Sequence, residues 1–212
     1  EINNTFKNFI NPKNASENIN GLKNLSTGGI VFYLIREFAK KSKKINLKNY
    51  LVLSALTTIS DSMDLIGDNR VIVSYGLDLI FETDLVSFNT LLDKIDFKKY
   101  PDEKDVAFKV IPVINSFGRL DCSEDFISYI IDDSLESICF VDKIIDINKQ
   151  RKKISDNLKK IIETSTKEVN NVVFGIIPFE YNGFLGFISS HLSSKFNKAS
   201  LVFSKNNGIV HC

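Results

Sequence analysis

Apolar residues recur every three to four positions over some stretches of this chain and every second position over others, and the two periods predict helices and strands respectively. The opening, Glu1 to Asn24, has neither period. It is polar and Asn-rich and reads as a surface loop, with Ile10-Asn11-Pro12-Lys13 as its one ordered element. Ser26 is then placed to cap a helix from Gly29 to Lys40, with Ile30, Tyr33, Leu34 and Phe38 on its apolar face. Asn46 to Ser60 is apolar but broken by Ser54, Ala55, Thr57 and Thr58. Periodicity leaves helix and strand open there; a packed helix delivering Asp61 into a loop is favoured.

Asn69 to Phe81, capped by Asp68, predicts a further helix with Val71, Ile72, Tyr75 and Leu79 inward. Leu85 to Ile95 and Ser123 to Ile131 predict shorter ones. Between them Val106, Phe108, Val110, Pro112 and Ile114 are read as alternating with less buried positions, the period of a strand. Pro112 cannot donate to a ladder, so an edge or irregular strand is expected. Gly118 would turn the chain after it and present Arg119, whose planar fork suits a phosphate.

A helical period from Leu135 to about Val169 carries Ile138, Val141, Ile145, Ile154, Leu158 and Ile161. About 35 residues of helix would span roughly 50 Å, which predicts a connector between two lobes. Beyond it come a strand from Asn171 to Ile177, a Gly-punctuated stretch from Tyr181 to Leu192 whose second half is helical, and a strand from Ala199 to Phe203. That order predicts an α/β protein in which residues 1–132 form one domain, 133–169 the connecting helix and 170–212 the start of a second α/β domain.

With 43% hydrophobic and 25% charged positions in 212 residues, the chain has enough apolar material for a substantial core. Its 27 Lys and Arg against 26 Asp and Glu leave a net charge of +1, so any phosphate-binding surface must be local. The run Lys149 to Lys153 on the long helix reads first as a solvated face, and otherwise as a basic stripe for a nucleic-acid backbone. Cys122, Cys139 and Cys212 lack metal-ligand spacing and are odd in number, which argues against a disulfide scaffold and for a reducing, cytoplasmic setting. No apolar run approaches the roughly 18 residues of a membrane span. The Gly28-Gly29 pair allows either a phosphate at a helix start or close packing, and packing is favoured. The first residue is Glu1 and the last, Cys212, follows an apolar run, so a portion of a longer protein is expected.

Several segments resemble, in order, those of RecJ-type nucleases of the DHH phosphoesterase superfamily. Asn115-Ser116-Phe117-Gly118-Arg119-Leu120 is similar to that family's Asn-Ala-Ala-Gly-Arg-Leu. Ile59-Ser60-Asp61, followed by a short apolar run and Asp68-Asn69-Arg70, resembles its fourth metal-binding motif, Ile-Ala-Asp and then Glu-Asn-Arg. Ile10 to Lys13, Leu25 to Ile30 and Ile147 to Arg151 match further family segments.

The resemblance implies that residues 1–132 are the C-terminal part of a DHH catalytic domain and 170–212 the beginning of a DHH-associated substrate-binding domain. It implies a metal-dependent exonuclease that hydrolyses single-stranded DNA from the 5′ end in repair and recombination. Asp61 would be the catalytic metal-ligand residue for Mn²⁺ or Mg²⁺, two ions in the complete protein, and Asp64 would not. Arg119 and Asn115 would contact a substrate phosphate, with the connecting helix fixing a cleft that admits an unpaired strand.

Single-stranded DNA is the implied partner. Single-strand-binding protein and other repair factors are candidates that no residue here singles out. The Asp-His-His motif that names the superfamily is absent from these residues. In the second lobe Tyr181 stands where the family has histidine and His191 where it has arginine, around a shared Gly183. These three are possible substrate-binding residues, and a neutral imidazole binds phosphate less well than arginine. Two other readings stay open: a phosphodiesterase of short oligonucleotides or cyclic dinucleotides, and a catalytically degenerate scaffold in replication or repair.

Overall fold

The computed structural model describes residues 22–42, 44–116, 135–206 and 208–212. The architecture is mixed α/β and divides into two compact units, Glu1–Ile111 and Pro112–Cys212. Residues 1–21 of the Asn-rich opening, the Ser123 to Ile131 segment, Gly118, Arg119 and Cys122 lie outside the described residues, as does the side chain of Cys139.

In the first unit a 3₁₀ turn, Leu22–Asn24, leads into α1 (Thr27–Ala39), α2 (Leu47–Ser60), α3 (Gly67–Asp78) and α4 (Val86–Lys94). Ser26 caps α1 as expected, its hydroxyl accepting from the Gly29 N–H at 3.1 Å. Asn46 caps α2 by accepting from the Lys48 N–H at 3.0 Å. Asp68, by contrast, is not a cap: Ile66 holds that position, and Asp68 lies in the first turn of α3. Its carboxylate instead lies near the Tyr33 side chain on α1; burial, and then this negative neighbour, push the Tyr33 hydroxyl above its ordinary value.

Two glycines decide which sides of the helices meet. A Cβ at Gly28 would fall 2.0 Å from Thr57 Oγ1, so close packing explains that residue. A Cβ at Gly76 would fall 2.4 Å from the Ala55 Cβ and 3.2 Å from the Leu51 carbonyl oxygen. The approach of α3 to α2 turns Ile72, Val73 and Gly76 inward. Val71 and Tyr75, expected inside, are left exposed, as are Leu34 and Phe38 on α1. The core here is Leu25, Ala55, Ile72 and Val73, with Ile30, Tyr33, Leu51, Ile59 and Leu65 against it.

The predicted strand around Val106 is helical. A short α5 (Glu103–Asp105) runs into a π-helical segment, Val106–Val110, and then α6 (Ile111–Ile114). The Ile111 N–H reaches back five residues to the Val106 carbonyl. Proline has no N–H to give to a regular ladder, and the wider turn just before Pro112 absorbs that interruption. Val106, Val110 and Ile111 are buried while Phe108 is 78% exposed, so the alternation on which the strand reading stood is not a burial pattern.

A capping box starts α5: Asp105 N–H donates to the Asp102 carboxylate and Asp102 N–H to the Asp105 carboxylate, both at 2.9 Å. Lys98 also pairs with Asp105.

The second unit is built on α7 (Leu135–Ser165), 31 residues and so about 46 Å long. It ends at Ser165 rather than near Val169, because Lys167–Val169 forms strand β1. Asn170 and Asn171, both at positive φ, turn β1 back into β2 (Val172–Ile176). A 3₁₀ stretch, Phe179–Phe184, and α8 (Leu185–Phe196) lead to β3 (Ala199–Asn206), and Gly208 at φ +84° turns into β4 (Ile209–His211).

The sheet order is β1-β2-β3-β4, with β2 and β3 parallel and the outer pairs antiparallel. The crossover β2-α8-β3 is the strand-helix-strand unit expected from the sequence. Its core joins Leu158 and Ile162 of α7 to Val173, Phe184, Ile188, Leu192 and Val202. A Cβ at Gly175 would fall 2.7 Å from Ile162 Cδ1, which is why Ile162 is buried and Ile161 exposed. The basic run on α7 is a solvated face, with Lys149 paired to Asp146 at 3.0 Å and Arg151 Nε donating to Asn148 at 3.1 Å.

Two outcomes are expected. Gly76→Ala gains about 1 kcal/mol of helix propensity but forces an overlap at a rigid contact, for a net loss of about 1–2 kcal/mol in urea unfolding; unchanged stability would remove Gly76 from the packing argument. Asp105 is held down from 3.8 to about 2, first by Lys98 and then by the Asp102 N–H. Its stabilisation is therefore full above the ordinary value and is lost as pH falls from 3.8 to about 2. Asp105→Asn should flatten stability against pH in that window, and an unaltered slope would contradict the assignment.

Candidate functional site

Asp61 is the C-cap of α2, and the chain around it is fixed by a Schellman arrangement. The Ser62 N–H donates to the Ile59 carbonyl and the Met63 N–H to the Thr58 carbonyl, each at 3.1 Å. Ser62 takes the left-handed conformation that this cap requires, at φ +52°. The sequence folds this way because Ser54, Thr57 and Thr58 bring small polar residues to the last turns. Thr57 and Thr58 hydroxyls both donate to the Ser54 carbonyl, at 2.9 and 2.8 Å.

The end of α2 is electronegative. The last turn of α2 has no basic residue, and the helix terminus carries a partial negative charge. A carboxylate added there is disfavoured by its own helix, and a bound cation relieves both charges at once. Asp61 is exposed and makes no ion pair or side-chain hydrogen bond among the described residues. It fits one oxygen-ligand position of a hard divalent cation. No three potentially ligating side chains cluster among the described residues, so Asp61 stands there without companion carboxylates or imidazoles.

Two features around Asp61 escaped the sequence. Thr58 Oγ1 lies 3.0 Å from Ser26 Oγ, buried between α2 and the start of α1. Asn69, buried on α3, donates through Nδ2 to the Asn24 carbonyl at 2.9 Å and the Asp64 carbonyl at 3.0 Å. The spacing Asp64 to Asn69 was visible, but the partner 45 residues away was not. A cavity of about 460 Å³ in the same unit is lined by Arg70, Asp78, Asp102 and Glu103 over an apolar floor including Val73 and Leu77. Asp61 does not line it.

The other expected site residues that are described, Asn115, Tyr181, Gly183 and His191, fall in the second unit. Asn115 is exposed in the turn after α6, and the neighbouring Ser116 hydroxyl donates to the Val113 carbonyl at 2.6 Å. Tyr181 packs against the core beside α8, edge-on to Phe184 with ring centroids 6.4 Å apart. Gly183 is exposed in the 3₁₀ stretch, where Asn182 accepts from the buried Ser204 hydroxyl at 2.8 Å. His191 Nε2 is 2.8 Å from Glu163 Oε1 on α7. Lys195 Nζ meets the other oxygen at 2.5 Å, and Lys195 first, then His191, hold the Glu163 carboxyl below its ordinary range. Tyr181 and His191 are thus engaged within their own unit. His211 contacts the Phe179 ring, centroids 5.4 Å apart.

No protein-family model matches the chain. Among curated proteins it is similar to the single-stranded-DNA-specific exonuclease RecJ of Thermus thermophilus, 26% identical over 192 residues, covering 89% of this chain and 28% of that protein. The RecJ of Bacillus subtilis is 26% identical over 160 residues, 72% of this chain and 20% of that one. The RecJ of Haemophilus influenzae is 24% identical over 204 residues, 87% and 36%. The chain spans roughly a third or less of the length of these relatives.

Among solved structures it matches Thermus thermophilus RecJ in complex with Mg²⁺, with a TM-score of 0.73, 20% identity, and coverage of 82% of this chain and 28% of that one. It also matches exonuclease RecJ bound to manganese, with a TM-score of 0.71, 21% identity, and coverage of 82% and 45%. Among the described residues no helix is long and apolar enough to cross a membrane. Sequence and fold together make this chain RecJ-like over most of its length.

Proposed function

We propose that the protein carrying this chain is a metal-dependent exonuclease that hydrolyses single-stranded DNA from the 5′ end, acting in DNA repair and recombination in the cytoplasm. The observation that carries the reading is the placement of Asp61: a carboxylate without an ion pair among the described residues, fixed at the negative end of α2, in a fold that matches RecJ structures solved with Mg²⁺ and manganese. Asp61 would hold Mn²⁺ or Mg²⁺ through a carboxylate oxygen, the donor such hard cations prefer. When bound, such a cation activates water and offsets the charge gained by the phosphoryl oxygens in the displacement. The remaining ligands are outside the described residues.

For the other residues, Arg119 and Asn115 are assigned to a substrate phosphate on the strength of the sequence resemblance. Arginine suits that role by its bidentate fork, and Asn115 by its exposed side chain after α6. Gly183 is a candidate substrate contact in the second unit.

One observation favours a non-catalytic reading of the second unit's departures. His191 is engaged by Glu163, and Tyr181 is packed on the core, so neither stands as a ready anion contact. A degenerate scaffold would lack Asp-x-Asp and Asp-His-His motifs elsewhere in its gene.

The test is digestion of end-labelled single-stranded DNA by the full-length gene product with Mn²⁺, wild type beside Asp61→Asn. Loss of a direct metal ligand should cost at least about 100-fold in rate, more than the roughly 10–100-fold typical of outer-shell partners. Undiminished hydrolysis by Asp61→Asn would refute the assignment. Preference for a dinucleotide over the long strand would move the protein to the short-oligonucleotide phosphodiesterases.

A further inference from the structure

The turn that carries Asp61 is tied on both sides to one short segment of chain, Asn24 to Ser26. Before the turn, Thr58 is joined to Ser26 by a buried hydroxyl pair. After it, Asn69 reaches from α3 to both the Asp64 carbonyl and the Asn24 carbonyl. Asn24 and Ser26 flank Leu25, which is buried in the core of the unit, so both ties end on an anchored segment. The Asp64 carbonyl also accepts from the Ile66 N–H at 2.9 Å, which fixes the far side of the turn.

The chemistry of Asn69 is unusual for a packing residue. It is 1% exposed, yet its Oδ1 has no hydrogen-bond partner. Burying an unsatisfied amide oxygen costs roughly 1–3 kcal/mol, so an apolar residue would serve packing better. What only the amide supplies is two donors from one nitrogen to two carbonyls. Because both neighbours are carbonyl oxygens, they also fix which way the amide points.

We propose that Asn69 is a positioning residue for the Asp61 metal ligand: by clamping Asp64 to Asn24 it holds the Asp61 turn, and with it the carboxylate, in the orientation that binds a divalent cation. This rests on the reading of Asp61 as a ligand. Without the clamp, the cap of α2 still forms, but the chain from Ser62 to Ile66 loses its side-chain tie to the start of α1. Groups that orient metal ligands without touching the metal are typically worth roughly 10–100-fold in metal affinity.

The experiment measures the Mn²⁺ dissociation constant of the full-length gene product from the electron paramagnetic resonance signal of free Mn²⁺, beside the Mn²⁺ concentration that half-activates digestion of single-stranded DNA. Both are read well below the melting temperature. Asn69→Ala is expected to raise both values about 10- to 100-fold, with most of the rate recovered at saturating Mn²⁺. Asn69→Ser, which keeps one donor, should shift them less in the same direction, and serves if the alanine variant does not fold. Gly76→Ala, which loosens α3 against α2 without touching the clamp, should shift neither. Wild-type Mn²⁺ affinity in a folded Asn69→Ala or Asn69→Ser protein overturns the inference, and so does an equal shift in Gly76→Ala. Asp61→Asn measured alongside separates the two claims. If it binds Mn²⁺ like the wild type, the ligand reading fails; if it alone loses affinity, only the positioning role fails.

Discussion

Everything proposed for the first unit depends on the buried polar ties between the start of α1 and the end of α2. Helix ends are where backbone donors and acceptors go unsatisfied, and bringing two of them together inside a core is costly unless each group finds a partner. Here the Ser26 hydroxyl accepts from the Gly29 N–H and meets Thr58, while Thr58 also donates to the Ser54 carbonyl. Gly28 makes the approach sterically possible, since any Cβ would collide with Thr57. The same contact that closes the core sets the last turn of α2, and the last turn sets Asp61.

The second unit achieves rigidity differently. Its sheet is short, and its parallel pair is covered by α7 and α8, with Gly175 admitting Ile162 close to β2. Polar residues that could have faced a substrate are used internally. Glu163 gathers His191 and Lys195, and Asn182 takes the Ser204 hydroxyl. Such pairs on a partly exposed surface contribute little stability, but they orient the side chains they join.

Much of this was legible in the sequence where local chemistry decided it. Ser26 as an N-cap, the long helix and the strand-helix-strand order follow from capping residues and apolar period, while the helix ending at Asp61 was favoured over a strand without a period to decide it. Where a long-range contact decided, the sequence was silent or misleading. Val71 and Tyr75 look as inward as Ile72 until the Gly76 contact with Ala55 selects a face. Val106 to Ile114 alternates like a strand, yet the capping box at Asp102 and Asp105 starts a helix and the π turn carries it to Pro112. The β1-β2 hairpin had a readable signal in Asn170-Asn171 between apolar residues, lost inside the period of the preceding helix. At the candidate site Asp61 was legible only through family resemblance, because an acidic residue at a helix end is ordinary. Asn69 became meaningful only once Asn24 was seen beside it.

The central claim is that Asp61 is a metal ligand set by the fold around it. The most direct measurement is diffraction at the manganese absorption edge from crystals of the full-length gene product soaked in Mn²⁺. The account predicts an anomalous peak within coordination distance of the Asp61 carboxylate, with Asn69 still bridging Asn24 and Asp64. Manganese peaks elsewhere, with Asp61 facing solvent, would contradict it.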